Sequence, residues 1–214
     1  MPLNKTSFQN CKLYCVVDRA VLGDRDPIQV AQQAIRGGAQ IIQWRDKRAG
    51  DGEFLEVARR LRELTRRLQI PLVVNDRVAA ALLSGADGVH LGHEDLPVKE
   101  ARSLAGEGLR IGRSTHSLEE AKEAEAAGAD YIGVGPVFST PTKPDYRAVG
   151  LELVRQVRQA IRIPWVAIGG IDLETLPLVL SAGAKSVAVV RAVAGAHDPE
   201  KAARSLREKM EATG

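Results

Sequence analysis

Short, continuously apolar runs alternate with amphipathic helical runs from end to end of the chain. The apolar runs are Leu13–Val17, Ile41–Trp44, Leu72–Val74, Gly88–Leu91, Arg110–Ser114, Tyr131–Val134, Trp165–Ile168 and Val187–Val190. Runs of this kind are expected of strands covered on both faces, as in parallel sheets. Between them, Glu53 to Gln69 places Phe54, Val57, Ala58, Leu61, Leu64 and Leu68 at spacings of three and four residues, the stripe of an amphipathic helix.

Helix punctuation supports the same division. Asp26-Pro27 and Asp198-Pro199 each set a capping carboxylate before a first-turn proline. Ser117 with Glu120 forms a capping box, and Pro177 restricts the seventh helix to a start near Thr175. Gly38-Ala39, Gly85-Ala86, Gly128-Ala129 and Gly183-Ala184 each lie between a helical run and an apolar run, where glycine ends a helix. Ile70-Pro71 and Ile163-Pro164 each open a strand. The recurrence indicates one βα unit used repeatedly. Eight such units without a linker predict a single-domain (β/α)8 TIM barrel of minimal size, preceded by a short N-terminal extension at about residues 1–11. A doubly wound open sheet is the alternative.

Composition narrows the partners. The chain has 214 residues, with 30 basic against 27 acidic side chains and a net charge of +3. The basic residues are dispersed, and three Phe, two Trp and three Tyr offer few stacking platforms, so no nucleic-acid partner is expected. No apolar run reaches the ~20 residues of a membrane span, and Met1 to Lys12 lacks a secretory signal pattern. Cys11 and Cys15 have no partner pair for a zinc site and read as small buried apolar residues in a reducing cytoplasm.

In barrels of this class the reactive groups stand at the C-terminal ends of the strands. Those positions are polar or glycine-rich here, whereas the helix-to-strand turns read as plain. Strand two leads into Gln43-Trp44-Arg45-Asp46-Lys47, where alternation aims Arg45 and Lys47 to one side. Strand three leads into Asn75-Asp76-Arg77, strand four into Gly92-His93-Glu94-Asp95, and strand five into Ser114-Thr115-His116. Asp76 and Asp95 serve either as helix caps or as a carboxylate pair for Mg2+, an ion that completes its shell with water and substrate phosphate. His90 and His93 have no third ligand in view and read as structural, as does His116 at the rim. After strand six, Thr140-Pro141-Thr142-Lys143 offers two hydroxyls and an ammonium in a loop stiffened by Pro141 and Pro144. Gly169-Gly170 after strand seven and Val190-Arg191 after strand eight occupy the usual phosphate site of such barrels. Spacing therefore leads to Mg2+-dependent diphosphate chemistry, with a second, monophosphate anion at the glycine pair.

Six strings carry a resemblance. Gln43-x-Arg45-x-Lys47, Val74-Asn75-Asp76-Arg77, His90-Leu91-Gly92-x-Glu94-Asp95-Leu96, Gly112-Arg113-Ser114-Thr115-His116, Gly135-Pro136-Val137-Phe138-x-Thr140-x-Thr142-Lys143 and Ala167-Ile168-Gly169-Gly170-Ile171 resemble, in this order, the thiamine-phosphate synthase (thiamine-phosphate pyrophosphorylase) family. The likeness runs from about Leu13 to Arg207. It implies a transferase that joins a hydroxymethylpyrimidine diphosphate to a thiazole phosphate, giving thiamine phosphate and diphosphate, with loss of CO2 from a carboxylated thiazole. By that resemblance Gln43, Arg45, Lys47, Asn75, Ser114 and Lys143 hold the pyrimidine diphosphate, with Lys143, Ser114 and Arg45 catalytic. Asp76 and Asp95 carry one Mg2+, and Thr140, Thr142, Gly170, Val190 and Arg191 hold the thiazole phosphate. Arg191 departs from the small residue, such as Ser, common at its position. The partners implied are small molecules in the cytoplasm, with no membrane and no nucleic acid, for a monomer or a homo-oligomer. Rival readings are a thiazole tautomerase on the same barrel, a non-catalytic phosphate-binding barrel and a sugar-phosphate epimerase. The first is disfavoured because Asp95 is present and Pro136 is not His. The other two are disfavoured because the Gln43/Arg45/Lys47 cluster and the Asp76/Asp95 pair are intact.

Overall fold

A computed structural model describes residues 8, 11–141 and 147–213. Eight strands pair in chain order, all parallel, into a closed barrel. They are β1 (Leu13–Asp18), β2 (Ile41–Arg45), β3 (Leu72–Asn75), β4 (Gly88–Leu91), β5 (Arg110–Thr115), β6 (Tyr131–Val134), β7 (Trp165–Ile168) and β8 (Val187–Val189). Pairing of β1 with β8, Leu13 opposite Val187 and Cys15 opposite Val189, closes the ring and excludes the open sheet. A layer of helices encloses the barrel: α1 (Pro27–Arg36), α2 (Asp51–Arg67), α3 (Val78–Ser84), α4 (Val98–Ala105), α5 (Leu118–Ala126), α6 (Gly150–Ala160), α7 (Leu176–Ser181) and α8 (Pro199–Thr213). One extra turn of helix, Arg19–Leu22, precedes α1.

The period of two along each strand divides the apolar residues into two cores. Leu13, Cys15, Val17, Ile42, Trp44, Leu72 and Val74 face outward against the helices, where Trp44 packs on Phe54 of α2 at 5.8 Å between centroids. Tyr14, Val16, Ile41, Val73, Tyr131, Val166 and Ala188 fill the barrel interior with Phe8 and Cys11. Both cysteines are free and buried, and burial pushes each thiol up to about 12, so neither is a thiolate at neutral pH.

The caps form as the sequence implies, with one change. Asp26 accepts from Ile28 N–H, Asp198 from Lys201 N–H, and Ser117 Oγ from Glu120 N–H. Glu120, however, turns its carboxylate to the His116 N–H at 2.7 Å, closing the box one residue outside the cap. Helix α7 starts directly after Thr175, which makes no side-chain cap hydrogen bond, with Pro177 in its first turn. Helix α2 starts and ends two residues earlier than the stripe suggests. Its N-terminal turn carries Asp51 and Glu53, which the helix dipole favours, and Gln69 takes the left-handed position after the helix at φ 56°. Leu68 therefore lies outside the stripe, exposed.

Gly38, Gly85, Gly128 and Gly183 all have positive φ. Each sits in the same pair of reverse hydrogen bonds, such as Gly128 N–H to Glu125 O and Ala129 N–H to Ala124 O. The same pair ends α2 before β3 with Gln69 in the glycine's place, Gln69 N–H to Arg66 O and Ile70 N–H to Thr65 O, so the ending recurs with the repeated βα unit.

The helix-to-strand turns are not plain. The residues following three of the Gly-Ala pairs cap the start of the preceding strand and are clamped by arginine. Gln40 Oε1 accepts from Lys12 N–H at 2.7 Å and from Arg207 at 3.0 Å. Asp87 accepts from Leu72 N–H at 2.9 Å and from Arg62 at 2.6 Å. Asp130 accepts from Ile111 N–H at 2.8 Å, from Arg110 at 2.7 Å and from Arg102. Single polar residues in turns looked unremarkable because their partners lie 15 to 167 residues away.

Burial acts upward on Asp130, but the Ile111 N–H and the two arginines outweigh it and hold the carboxyl below its usual range. Its contribution to stability is therefore complete above the unfolded-state value of about 4 and is lost as pH falls through the lower folded value. Asp130→Asn is expected to destabilise by about 2 kcal/mol at pH 7. The difference in Tm from the parent should shrink as pH drops below that range. A difference that stays constant into acid would show that the charge is not what matters.

Candidate functional site

At the C-terminal end of the barrel a cavity of about 450 Å3 opens between the strand ends. Gln43, Arg45, Asn75, Ser114, Thr140, Gly170, Val190 and Arg191, all expected at the site, line it. Its floor is apolar, formed by Val16, Val166, Ile168 and Ala188. Thr142 and Lys143 lie outside the described residues. Thr140 and Pro141, just before them, line the cavity.

On the β2–β4 side the cations and carboxylates meet. Lys47 Nζ forms an ion pair with Asp76 Oδ2. Asp76 stands in a left-handed turn at φ 62°, a conformation tolerated by Asp but costly for most residues. Its N–H donates to His90 O at 2.8 Å, and Arg77 N–H reaches back to Asn75 O, so the turn is tightly held. Burial and a hydrogen bond to Asp95 push Asp76 up to about 6, while Lys47 pulls it down. Burial acts upward on Asp95 as well. Hydrogen bonds from Asp76 and the Gly92 N–H, with the charges of Lys47 and Arg113, hold it below the usual carboxylate range instead. Close like charges push two carboxyl groups apart in this way, one raised and one lowered, because ionising the second against the first is costly.

The pair suits Mg2+. Both groups offer hard oxygen donors, and such an ion takes one or two carboxylates and draws its remaining ligands from water and phosphate. Among the described residues no group of three or more His, Cys, Asp or Glu side chains could hold a metal without such help.

Opposite this cluster, Gly169 and Gly170 have φ values of 101° and 64°. The turn they make packs against the segment after β6. Val137 N–H donates to Ile168 O, Phe138 N–H to Gly169 O, and a Cβ on Gly170 would lie 2.7 Å from Phe138 Cβ. Glycine is therefore required there by packing as well as by any anion. Past β8, Ala194 N–H closes a turn on Val190 O, and Arg25 donates to Ala194 O at 2.6 Å and Ala196 O at 2.7 Å. This holds the Val190-Arg191 segment in place, with the Arg191 side chain exposed.

Several functional positions escaped the sequence reading. Asp18, fully buried at the end of β1, ion-pairs with Arg45 and accepts from Ala20 N–H at 3.0 Å. A guanidinium carries five N–H donors, enough to serve Asp18 and an anion together. The signal was present: a carboxylate directly after an apolar run, as at the other strand ends. Arg77 lies over the Phe54 ring at 4.4 Å and donates to Ala49 O at 2.7 Å, so it braces the loop that carries Lys47 rather than facing the cavity. His90, read as structural, turns into the cavity and touches Ser114 Oγ at 3.0 Å. His116 lines the cavity too, with Nδ1 against Gly135 O. His93 is exposed, as a residue without a site role.

Comparison with known proteins agrees with this geometry. The family model described as thiamine monophosphate synthase matches residues 13–193. The chain is 48% identical over 200 residues to a thiamine-phosphate synthase of Syntrophomonas wolfei, covering 93% of this chain and 96% of that one. It is 46% identical over 203 residues to one of Pyrococcus abyssi, covering 95% and 96%. A solved thiamine phosphate pyrophosphorylase from Pyrococcus furiosus superposes with a TM-score of 0.89 at 42% identity, covering 96% and 98%. An N-acetylmannosamine-6-phosphate 2-epimerase from Clostridium perfringens, at 19% identity and a TM-score of 0.67, shares the fold alone. No helix among the described residues is long and apolar enough to cross a membrane. Matched by that family model over most of its length and nearly half identical to these synthases from end to end, the chain belongs to the thiamine monophosphate synthase family, and its activity is the transferase activity of thiamine-phosphate synthases.

Proposed function

We propose that this chain joins a hydroxymethylpyrimidine diphosphate to a thiazole phosphate by ionising the first and letting the thiazole nitrogen attack the resulting cation. One observation carries the reading. A single apolar-floored cavity is lined by Arg45 on one side, next along the strand ends to the Lys47/Asp76/Asp95 group that stands outside its lining, and by the Gly169-Gly170 and Val190-Arg191 turns on the other. Two anionic substrates with apolar rings fill such a space ring to ring.

The chemistry asks for charge stabilisation rather than a nucleophile. An aminopyrimidine stabilises a positive CH2 group, so the C–O bond can break first, with both electrons leaving on the diphosphate. Arg45, Lys47 and Lys143 receive that charge, and the Ser114 hydroxyl donates to a diphosphate oxygen. Gln43 and Asn75 orient the pyrimidine. Thr140, Thr142, Gly170, Val190 and Arg191 hold the thiazole phosphate so that the ring nitrogen lies against the cation. Attack forms the C–N bond, and a carboxylated thiazole then loses CO2. Asp76 and Asp95 would hold one Mg2+. When bound, that ion neutralises charge on the leaving diphosphate. The apolar floor limits water, which would otherwise capture the cation. Buried reduced thiols fit action in the cytoplasm.

The direct test mixes purified protein with both substrates, with and without Mg2+, and follows thiamine phosphate. Product that requires both substrates and Mg2+ supports the reading; no product under full conditions ends it. Gly170→Val is expected to raise the KM for thiazole phosphate by about tenfold or more, well beyond any rise for the pyrimidine diphosphate. A rise confined to the pyrimidine diphosphate would mean that the two anions have been assigned to the wrong ends.

A further inference from the structure

Along the inner wall of the cavity a chain of hydrogen bonds crosses the barrel interior. Gln43 Nε2 of β2 donates to Tyr14 OH of β1 at 2.7 Å. Tyr14 OH meets Tyr131 OH of β6 at 3.1 Å, Tyr131 OH meets His90 Nδ1 of β4 at 3.2 Å, and His90 Nε2 meets Ser114 Oγ of β5 at 3.0 Å. Five side chains from five strands thus form one chain from Gln43 to Ser114, and all but Tyr131 line the cavity.

The barrel wall is cut to admit these rings. A Cβ on Gly112 would lie 2.2 Å from Tyr131 Cζ, and one on Gly133 would lie 3.3 Å from His90 Cε1. Burial pushes both phenols above their ordinary values, so each keeps its proton and acts as a donor and an acceptor at once. No charge enters the chain at the tyrosines.

Such a chain can run unbroken in two directions. With Gln43 donating to it, Tyr14 has its own proton left for Tyr131, and Tyr131 has its proton for His90 Nδ1. His90 then carries its proton on Nε2 and donates to Ser114 Oγ, which leaves the serine hydroxyl proton for a ligand. In the reverse direction His90 accepts from Ser114, and the serine can offer an anion nothing but lone pairs. An amide nitrogen can only donate, so the Gln43 contact excludes the reversed chain and leaves the first direction as the unbroken relay.

We propose that Tyr14, Tyr131 and His90 are positioning residues that transmit this polarity from Gln43 to Ser114, holding the Ser114 hydroxyl as a donor to the departing diphosphate. The inference rests on the reading of Ser114 as a diphosphate ligand. It does not alter the chemical step; it removes the need to reorient a hydroxyl when charge develops.

The test is the protonation of the His90 ring, read by nitrogen NMR at neutral pH, with its signals identified by their loss in His90→Gln. The parent should show one neutral tautomer with the proton on Nε2. Tyr131→Phe keeps the ring over Gly112 but removes the link. It should give a mixture of tautomers and lower kcat by about tenfold with little change in either KM. Tyr14→Phe, one link further away, should do the same and serves if Tyr131→Phe does not fold. Ser114→Ala should lose activity yet keep the Nε2–H tautomer, because polarity arrives from the Gln43 end. A local serine–histidine pair would give the opposite pattern, a tautomer altered in Ser114→Ala and unaltered in Tyr131→Phe. A parent ring protonated on Nδ1, or on both nitrogens, overturns the relay. Full activity in Ser114→Ala instead overturns the ligand reading, and with it the relay's purpose, whatever the tautomer.

Discussion

Removing either carboxylate of the Asp76/Asp95 pair is expected to lower Mg2+-dependent turnover by about 10²-fold or more, because the charge clamp on the leaving diphosphate is lost. Asp95→Ala is the simpler variant, since Asp95 has an ordinary backbone and only its Gly92 N–H bond to lose locally. At Asp76, φ is 62°, and alanine there would strain the turn as well. Asp76→Asn keeps a residue that tolerates the left-handed conformation and isolates the effect of charge. Both residues sit at the barrel rim outside either core, so thermal stability should stay close to that of the parent. Turnover against Mg2+ concentration, alongside calorimetric binding of Mg2+ with inorganic diphosphate, measures both consequences. Unchanged activity in Asp95→Ala and Asp76→Asn would remove the metal assignment.

Lys143→Ala is expected to reduce kcat by roughly 10²-fold, about 2.7 kcal/mol, while affinity for the pyrimidine diphosphate falls less. Charge on the bridging oxygen grows as the C–O bond breaks, so an ammonium meeting it is bound more tightly in the transition state than in the ground state. The segment before Lys143 is set at the cavity mouth: Ser139, Thr140 and Pro141 line it, and Phe138 N–H is tied to Gly169 O. Gln at this position should restore little, since a neutral donor supplies no net charge. Single-turnover kinetics with both substrates saturating separate the chemical step from product release. A chemical step as fast in Lys143→Ala as in the parent would leave the lysine without a part in ionisation.

Much of the barrel was legible because it is written locally. The expected strands Gly88–Leu91, Tyr131–Val134 and Trp165–Ile168 coincide with β4, β6 and β7, and the others differ by one residue at their C-terminal end. The strand-top rule then led to Gln43, Arg45, Asn75, Ser114, Thr140, Gly170, Val190 and Arg191, which do share one cavity. Helix α2 was displaced because a stripe records which residues are buried, whereas Gly50 and Gln69 decide where the backbone enters and leaves the helix. Arg77 was grouped with the site by its neighbours Asn75 and Asp76. Its side chain turns outward to Phe54, and spacing along one loop does not say which way such a side chain goes.

Alternation of apolar runs, glycine and proline at element ends, and capping residues each act within a few residues, so the sequence alone determined eight βα units and the polarity of their ends. The partners of Asp18, Asp130 and His90 were decided only in the tertiary structure. Asp18 meets Arg45 across 27 residues, Tyr14 meets Tyr131 across 117, and His90 joins Tyr131 across 41. No local period encodes such pairs. They exist because closure of β8 onto β1 fixes the stagger of all eight strands, and that stagger sets which inward side chains stand at the same height.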